Sequence, residues 1–250
     1  MSEIQFLPRP GRDRLAYRRI PGQGPGIFWL SGFKSDMSGA KATHLEAWAR
    51  SEGRSFLAFD YFGHGASSGD FLQGTIGRWK ADALAAFDSL TDGRQILVGS
   101  SMGGWIALLL ALARPERVHG LVLVAPAPDF TEDLIFERAT PEMRAAWESA
   151  GVWYRPSAYG EPHPITWRLI EEARAHLLLR APIAIGAPVH ILHGMRDPDI
   201  PFGRSLTLAE KLESERVLVE FSKSGDHRLS NAGNLRQLMR AVQAMAEGWG

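Results

Sequence analysis

Gln95-Ile96-Leu97-Val98-Gly99-Ser100-Ser101-Met102-Gly103-Gly104-Trp105-Ile106-Ala107-Leu108-Leu109-Leu110-Ala111-Leu112 decides the reading of this chain. The first four residues are an apolar run of strand type, and Trp105 to Leu112 is a long apolar helix former. Between them stands G-x-S-x-G, so the segment reads strand, tight turn, helix. A serine in such a turn is held in a strained backbone conformation that only small neighbours permit. Its hydroxyl then projects above the sheet, at the positive end of the helix that follows. Two serines are adjacent, but only Ser101 has glycine two residues before and two after; Ser100 would need glycine at Val98 and Met102. Ser101 is therefore the expected nucleophile.

On either side, short β-rich runs alternate with amphipathic stretches, which predicts an α/β fold with a mostly parallel central sheet and helices on both faces. The expected strands are Leu15–Ile20, Ile27–Leu30, Ser55–Phe59, Gln95–Gly99, Gly120–Ala125, Val189–His193 and Val217–Phe221. Leu121-Val122-Leu123-Val124 has the continuous apolar character of a parallel strand buried on both sides. Helices are expected over Ala40–Ser51, Ile76–Leu90, Met102–Ala113, Arg204–Glu213 and Asn231–Glu247. No repeat or long Gly/Ser linker divides the chain, so residues 1–250 read as a single domain. Only residues 129–186 break the alternation. They show no buried strand, three helical stretches (Glu132–Arg138, Glu142–Ala150 and Thr166–Arg180) and three of the eight tryptophans. A long aromatic-rich insertion between two central strands reads as a small helical lid over a site.

Composition narrows the function. Twenty-eight basic residues balance 28 acidic ones, so nothing suggests nucleic acid or an anionic membrane as partner. Cysteine is absent, which excludes disulfides, thiolate zinc sites and a cysteine nucleophile. The longest apolar run, around Trp105 to Ala113, is too short for stable insertion in a bilayer. Met1 to Leu7 carries no secretory pattern, and Pro8 and Pro10 follow at once, so a cytoplasmic location is expected.

A serine hydroxyl needs a base to take its proton, and the base needs a carboxylate to orient it. In this kind of fold they follow the serine in the order acid, then histidine. Asp197 stands in G-x-x-D-x-x-I-P after the strand Val189–His193, where an acid belongs; Asp199 and Asp129 are the alternatives. His227 is the sole histidine after Asp197 and lies in the glycine-containing loop Ser224-Gly225-Asp226-His227. The backbone N–H groups of Met102 and Phe33 are the expected oxyanion donors, Phe33 because Gly32 lets the loop Ser31-Gly32-Phe33-Lys34 turn inward. Asp60-Tyr61-Phe62-Gly63-His64-Gly65-Ala66-Ser67 fits a D-x-x-G-x-G-x-S turn, with His64 in a structural role. His190 and His193 lie three apart on a strand and face opposite sides, a poor metal pair. Gly22-Gln23-Gly24-Pro25-Gly26 reads as a turn between strands rather than a phosphate loop. The chemistry requires neither metal nor cofactor.

Together these motifs resemble the α/β-hydrolase superfamily over almost the whole chain. Ser31-Gly32-Phe33-Lys34-Ser35-Asp36-Met37, Ser68-Gly69-Asp70-Phe71, Gly74-Thr75-Ile76-Gly77-Arg78-Trp79, Gly99 to Trp105, Leu192-His193-Gly194-Met195 and Asp226-His227-Arg228 resemble, in that order, the palmitoyl-protein thioesterase and acyl-glucuronide esterase subfamily. The resemblance implies a catalytic serine, aspartate and histidine at Ser101, Asp197 and His227. It also implies an acyl ester or thioester substrate, such as S-palmitoyl cysteine on an acylated protein or an acyl glucuronide. Apolar lid residues Phe130, Leu134, Trp147, Trp153 and Trp167 are expected to receive the acyl chain, packing within the lid being their alternative role. Arg138, Arg155 or Arg168 could meet a carboxylate such as glucuronate. A general carboxylesterase, a C–C bond hydrolase or perhydrolase, and a non-catalytic binding protein on the same fold are the rival readings.

Overall fold

The computed structural model describes residues 2–157 and 160–248. Its strands are β1 (Gln5–Pro8), β2 (Arg14–Ile20), β3 (Gln23–Leu30), β4 (Arg54–Phe59), β5 (Gln95–Ser100), β6 (Val118–Val124), β7 (Val152–Ser157), β8 (Gly160–Thr166), β9 (Val189–Gly194) and β10 (Val217–Ser222). Its α-helices are α1 (Ala40–Ser51), α2 (Ile76–Leu90), α3 (Met102–Ala113), α4 (Pro141–Ala150), α5 (Trp167–Ala173), α6 (Gly203–Lys211) and α7 (Ala232–Ala246).

Side chains along the central strands alternate between two cores, as a period of two requires. Phe28, Leu30, Leu97, Leu121 and Leu123 join α2, α3 and Leu208 of α6 on one side. Ile27, Trp29, Ile96, Val98, Val122 and Val124 join α1 and α7 on the other. Burial on both faces is the reason these strands read as unbroken apolar runs. α3 is buried from Met102 to Ala111, which explains why it is apolar all round.

Eight strands form one sheet in the order β1-β2-β4-β3-β5-β6-β9-β10. β1 and β2 pair antiparallel, and β2 pairs antiparallel with β4, while the remaining neighbours are parallel. From β3 the chain leads outward to β4; from β5 it leads the other way, to β6. The strand order therefore reverses between β3 and β5, and a crevice opens above their C-terminal ends. The loop after β3 and the turn after β5 are the two segments expected to carry the chemistry.

Some elements depart from expectation for identifiable reasons. β1 is a four-residue edge strand ending at Pro8, too short and exposed to carry a hydrophobic signal. β3 begins at Gln23, so part of the glycine-rich stretch is extended strand, with an irregular register before Ile27. α6 stops at Lys211 because the chain turns to pair with the segment at Ile183, whose N–H reaches the Lys211 carbonyl at 2.7 Å. Within residues 129–186, β7 and β8 form an antiparallel hairpin where no strand was expected. Pro156, Pro162 and Pro164 interrupt its pattern, and most of β8 is half-buried or exposed. The expected helix Thr166–Arg180 is instead α5 followed by one 3-10 turn, Arg174–His176.

This segment is tied to the sheet at several points. Asp129 is fully buried at φ 58°, and its two carboxylate oxygens accept the N–H groups of Leu178 and Leu179, each at 2.8 Å. Trp105 of α3 donates its indole N–H to the His176 carbonyl at 3.0 Å. Asp133 pairs with Arg204 of α6 at 2.6 Å and with Arg180. Among the described residues no helix is long and apolar enough to cross a membrane.

Candidate active site

Ser101 sits at φ 54° and ψ −119°, between the end of β5 and the first turn of α3. The strain is held from both sides: its N–H bonds the Val124 carbonyl at 2.9 Å, and its carbonyl accepts Gly104 N–H at 2.9 Å and Ala127 N–H at 3.1 Å. Glycine is demanded where α3 meets the sheet. A Cβ on Gly103 would lie 2.1 Å from the Leu30 carbonyl oxygen, and one on Gly99 would lie 2.4 Å from the Gly103 carbonyl oxygen.

The Ser101 hydroxyl lies 3.0 Å from His227 Nε2, and His227 Nδ1 lies 2.7 Å from Asp197 Oδ2. These are hydrogen-bonding distances along the whole relay. With the carboxylate accepting at Nδ1–H, Nε2 is left as acceptor for the serine hydroxyl. The histidine loop is braced against its neighbours: Arg196 N–H bonds the Gly225 carbonyl at 2.9 Å, and Lys41 Nζ donates to the Arg228 carbonyl at 2.5 Å. Burial drives the Lys41 ammonium down to about 8 despite the attraction of Asp226.

Asp197 is held by four donors. Its Oδ1 accepts the N–H groups of Asp199 and Ile200 at 2.8 Å each, and its Oδ2 faces His227 and also His193 Nε2 at 3.1 Å. Burial of the carboxyl favours the protonated form, but the hydrogen bonds from His193, His227 and Ile200 and the attraction of the His227 imidazole outweigh it. The carboxyl lies well below the usual carboxylate range and stays ionised. Of the two alternative acids, Asp129 is turned to the Leu178–Leu179 backbone, and Asp199 lines the cavity but contributes its N–H to Asp197. Among the described residues, Asp197, Asp199 and His227 are the cluster with metal-ligand spacing, and two of the three are already joined in the relay.

The loop after β3 presses against the serine: a Cβ on Gly32 would meet the Ser100 carbonyl at 3.3 Å and Ser101 Cβ at 3.4 Å. Ser35 N–H closes the turn onto the Gly32 carbonyl at 3.1 Å. The Phe33 ring is wedged among Phe71, Trp79 and Phe130, with centroids 5.0, 5.8 and 6.0 Å away. Lys34 follows at φ 56° with its N–H on His64 Nε2 at 3.2 Å. Met102 is the first residue of α3, where an N–H has no acceptor within its own helix.

His64 thus stands behind the loop as a structural group. It is 3% exposed, and its Nδ1 donates to the Phe62 carbonyl at 3.1 Å. Burial lowers its pKa to about 4, against the Phe62 bond and the Asp36 charge. Below its ordinary value of 6.5 the unfolded chain takes up a proton that the folded chain refuses. Acidification from about 6.5 to about 4 therefore removes stability through this group, by at most about 3 kcal/mol. Asp82, raised to about 6 by burial, works in the opposite sense, being favoured in the fold when protonated. Urea unfolding of wild type and His64→Gln across this range separates the two groups. The variant is expected to lose less stability on acidification, and parallel curves would show that His64 does not carry the effect.

A cavity of about 350 Å³ opens in front of Ser101. Phe33, Ala127, Phe130, Ile135, Ile165 and Ile200 give it an apolar side, while Lys34, Lys41, Arg155, Glu161, His163, Asp199 and Arg228 make its other side polar. Of the residues expected to receive an acyl chain, Phe130 lines this cavity. Trp147 and Trp153 instead line a separate lid groove with Met143 and Val152, and Trp167 packs on Trp147 with ring centroids 5.6 Å apart. Leu134 is buried in the main core. The Trp147 indole N–H is directed to the Ile165 carbonyl at 2.8 Å, and Trp153 and Trp167 pack on the Trp147 ring, so these three indoles cluster with one another. Ile135 and Ile165 take the cavity-facing positions; one is the fifth residue of a π-helical turn and the other lies on the unexpected hairpin. Of the candidate arginines, Arg155 lines the cavity, whereas Arg168 bonds Gln73 at 3.1 Å. His193, set aside as half of a poor metal pair, is the residue at the site that its sequence context did not reveal.

Residues 20–241 match the model of the alpha/beta hydrolase family, and the chain belongs to that family. It is a hydrolase. It is 38% identical over 248 residues to human palmitoyl-protein thioesterase ABHD10, mitochondrial, covering 98% of this chain and 81% of that protein. The structure of mouse alpha/beta hydrolase domain-containing protein 10 superposes with a TM-score of 0.93 at 37% identity, over 100% of both chains. A hydrolase from Agrobacterium vitis S4 superposes equally well, at 0.93 and 40% identity, over 98% of both chains. The expected cytoplasmic location is corrected by these comparisons, since the ABHD10 relatives are named as mitochondrial. That expectation rested on where the sequence starts, which carries no information about the address of the protein.

Proposed function

We propose that this hydrolase cleaves acyl thioesters and esters through a covalent acyl-enzyme on Ser101. The observation that carries the reading is the continuous relay from the Ser101 hydroxyl through His227 to the ionised Asp197. His227 takes the hydroxyl proton as Ser101 Oγ attacks the acyl carbonyl. The N–H groups of Met102 and Phe33 hold the oxyanion of the tetrahedral intermediate. Protonated His227 then gives its proton to the departing sulfur or oxygen. Water enters, His227 takes a proton from it as its oxygen attacks the acyl-enzyme, and on collapse of the second tetrahedral intermediate His227 returns that proton to Ser101 Oγ, which releases the carboxylic acid and the free serine. Asp197 holds the imidazole in the required tautomer and stabilises its charged form. Every proton transfer is served by protein side chains, so the step needs no metal or cofactor.

Phe130, Ile135 and Ile165 are the acyl-side wall in this reading, and residues 129–186 act as the lid. A thiolate leaves readily, since a cysteine thiol has a pKa of roughly 8.5. The name palmitoyl-protein thioesterase among relatives at 38% identity supports S-acylated protein as a substrate. The second reading, a carboxylesterase for small polar esters including acyl glucuronides, is favoured by the charged side of the cavity and by Arg155 in particular.

A fluorophosphonate probe followed by a matched series of acyl thioesters and oxygen esters tests both. Labelling of Ser101 with faster turnover of thioesters is expected. Labelling with oxygen esters preferred moves the function to the carboxylesterase reading, and no labelling of folded protein removes the catalytic one.

A further inference from the structure

Asp197 faces a second histidine besides the base. His193, the fifth residue of β9, is 0% exposed and lies on the opposite side of the carboxylate from solvent. Its Nε2 is 3.1 Å from Asp197 Oδ2 and also 3.1 Å from the Ile200 carbonyl oxygen. Both neighbours are acceptors, so Nε2 carries the hydrogen. Its Nδ1 is 2.7 Å from the hydroxyl of Ser205, which is likewise 0% exposed, in the first turn of α6. The ring is therefore fixed at both nitrogens, between the strand that bears the acid and the helix behind it.

We infer that His193, locked by Ser205, is a positioning residue that fixes Asp197 Oδ2 for His227, so the working relay is Ser205–His193–Asp197–His227–Ser101. This rests on the Ser101 hydrolase reading. Two observations favour positioning over simple core filling. A buried histidine is costly unless both nitrogens are satisfied, and here one of them is spent on the same carboxylate oxygen that orients the base. The two backbone donors, from Asp199 and Ile200, reach Oδ1 only, so the direct support for Oδ2, the oxygen that meets His227, comes from His193. Without that N–H, the carboxylate keeps its place in the loop but loses the bond that aims Oδ2, and the imidazole follows it.

His193→Leu removes the donor and keeps the bulk apolar; His193→Gln retains an N–H at nearly the same reach. Both are measured with Ser205→Ala, and kcat is expressed per site titrated with a fluorophosphonate, so that unfolded protein does not count. His193→Leu is expected to lower kcat about tenfold or more with KM within about twofold. His193→Gln is expected to recover most of the loss. Ser205→Ala, which frees the ring without emptying the core, is expected to lower kcat about threefold. Wild-type kcat per titrated site in His193→Leu overturns the inference while leaving the serine hydrolase intact. Should that variant not fold, unchanged kcat in Ser205→Ala overturns it instead. Wild type that neither labels nor turns over an ester removes the underlying hydrolase reading, and the inference with it.

Discussion

Ser101→Ala is expected to lower kcat/KM for the best ester substrate by at least about a thousandfold while leaving the thermal midpoint close to wild type. The two halves of this result have separate causes. In the fold, the strained turn is held through the backbone, by Ser101 N–H on the Val124 carbonyl and by the Ser101 carbonyl on Gly104 and Ala127. Alanine preserves each of those bonds and removes a single oxygen whose contact is His227 Nε2 at 3.0 Å. In the proposed mechanism that oxygen is the nucleophile, and the residual rate is expected to come only from oxyanion binding and substrate positioning. His227→Ala should approach the same floor, and combining the two should cost little more, because residues acting as a unit are not additive. Asp197→Asn is expected to fall short of it, since the amide keeps the shape but offers His227 the wrong partner. Purified Ser101→Ala that retains more than a few per cent of activity would sink the assignment of the nucleophile.

Much of this site is legible in the sequence because it is built at strand ends. The elbow serine, the acid after β9 and the histidine after β10 are each placed by the end of an apolar run and by glycines in the turn, so spacing and chain order suffice to find them. The first three helices also agree with their expected limits: α1 and α2 each bury one face, and α3 is apolar along its length. The lid resisted reading for the opposite reason. Its hairpin is polar, proline-bearing and barely buried, and its tryptophans give the same hydrophobic signal whether they face a ligand or one another. The contacts of the Trp147 ring with Trp153 and Trp167, and its indole N–H on the Ile165 carbonyl, are what hold the cluster together apart from the cavity. The sequence does not single out His193 because one of its two side-chain partners, Ser205, lies twelve residues further on in α6, and no local pattern encodes that contact. Asp129 stands at the end of β6, the alternative position for an acid, but its oxygens bond Leu178 and Leu179 N–H, whereas His227 Nδ1 bonds Asp197.

Gly103→Ala is expected to be severely damaging for a single added methyl. The obstacle is not backbone conformation, since Gly103 lies within α3; it is space. The added Cβ would stand 2.1 Å from the Leu30 carbonyl oxygen, 2.5 Å from that of Ser31 and 2.6 Å from the Leu30 carbonyl carbon. All three are backbone atoms at the end of a central strand, so no side chain can rotate aside. Either α3 must lift from the sheet or the Ser31–Lys34 loop must retreat. The first movement displaces Met102 N–H and Ser101, the second displaces Phe33 N–H, and the proposed oxyanion hole needs all of them in register. A loss of more than about 100-fold in kcat is therefore expected, together with destabilisation of about 1–3 kcal/mol from overpacking. Gly104→Ala is the internal control. Its Cβ would meet Pro126 Cβ at 2.9 Å, a contact to a ring on the far side of the turn from the Ser31–Lys34 loop. It should cost stability with a much smaller loss of kcat per titrated site. If Gly103→Ala kept wild-type kcat, the close approach of α3 to the β3 loop would not be what aligns the two donors with the nucleophile. The oxyanion hole would then have to be built from other groups.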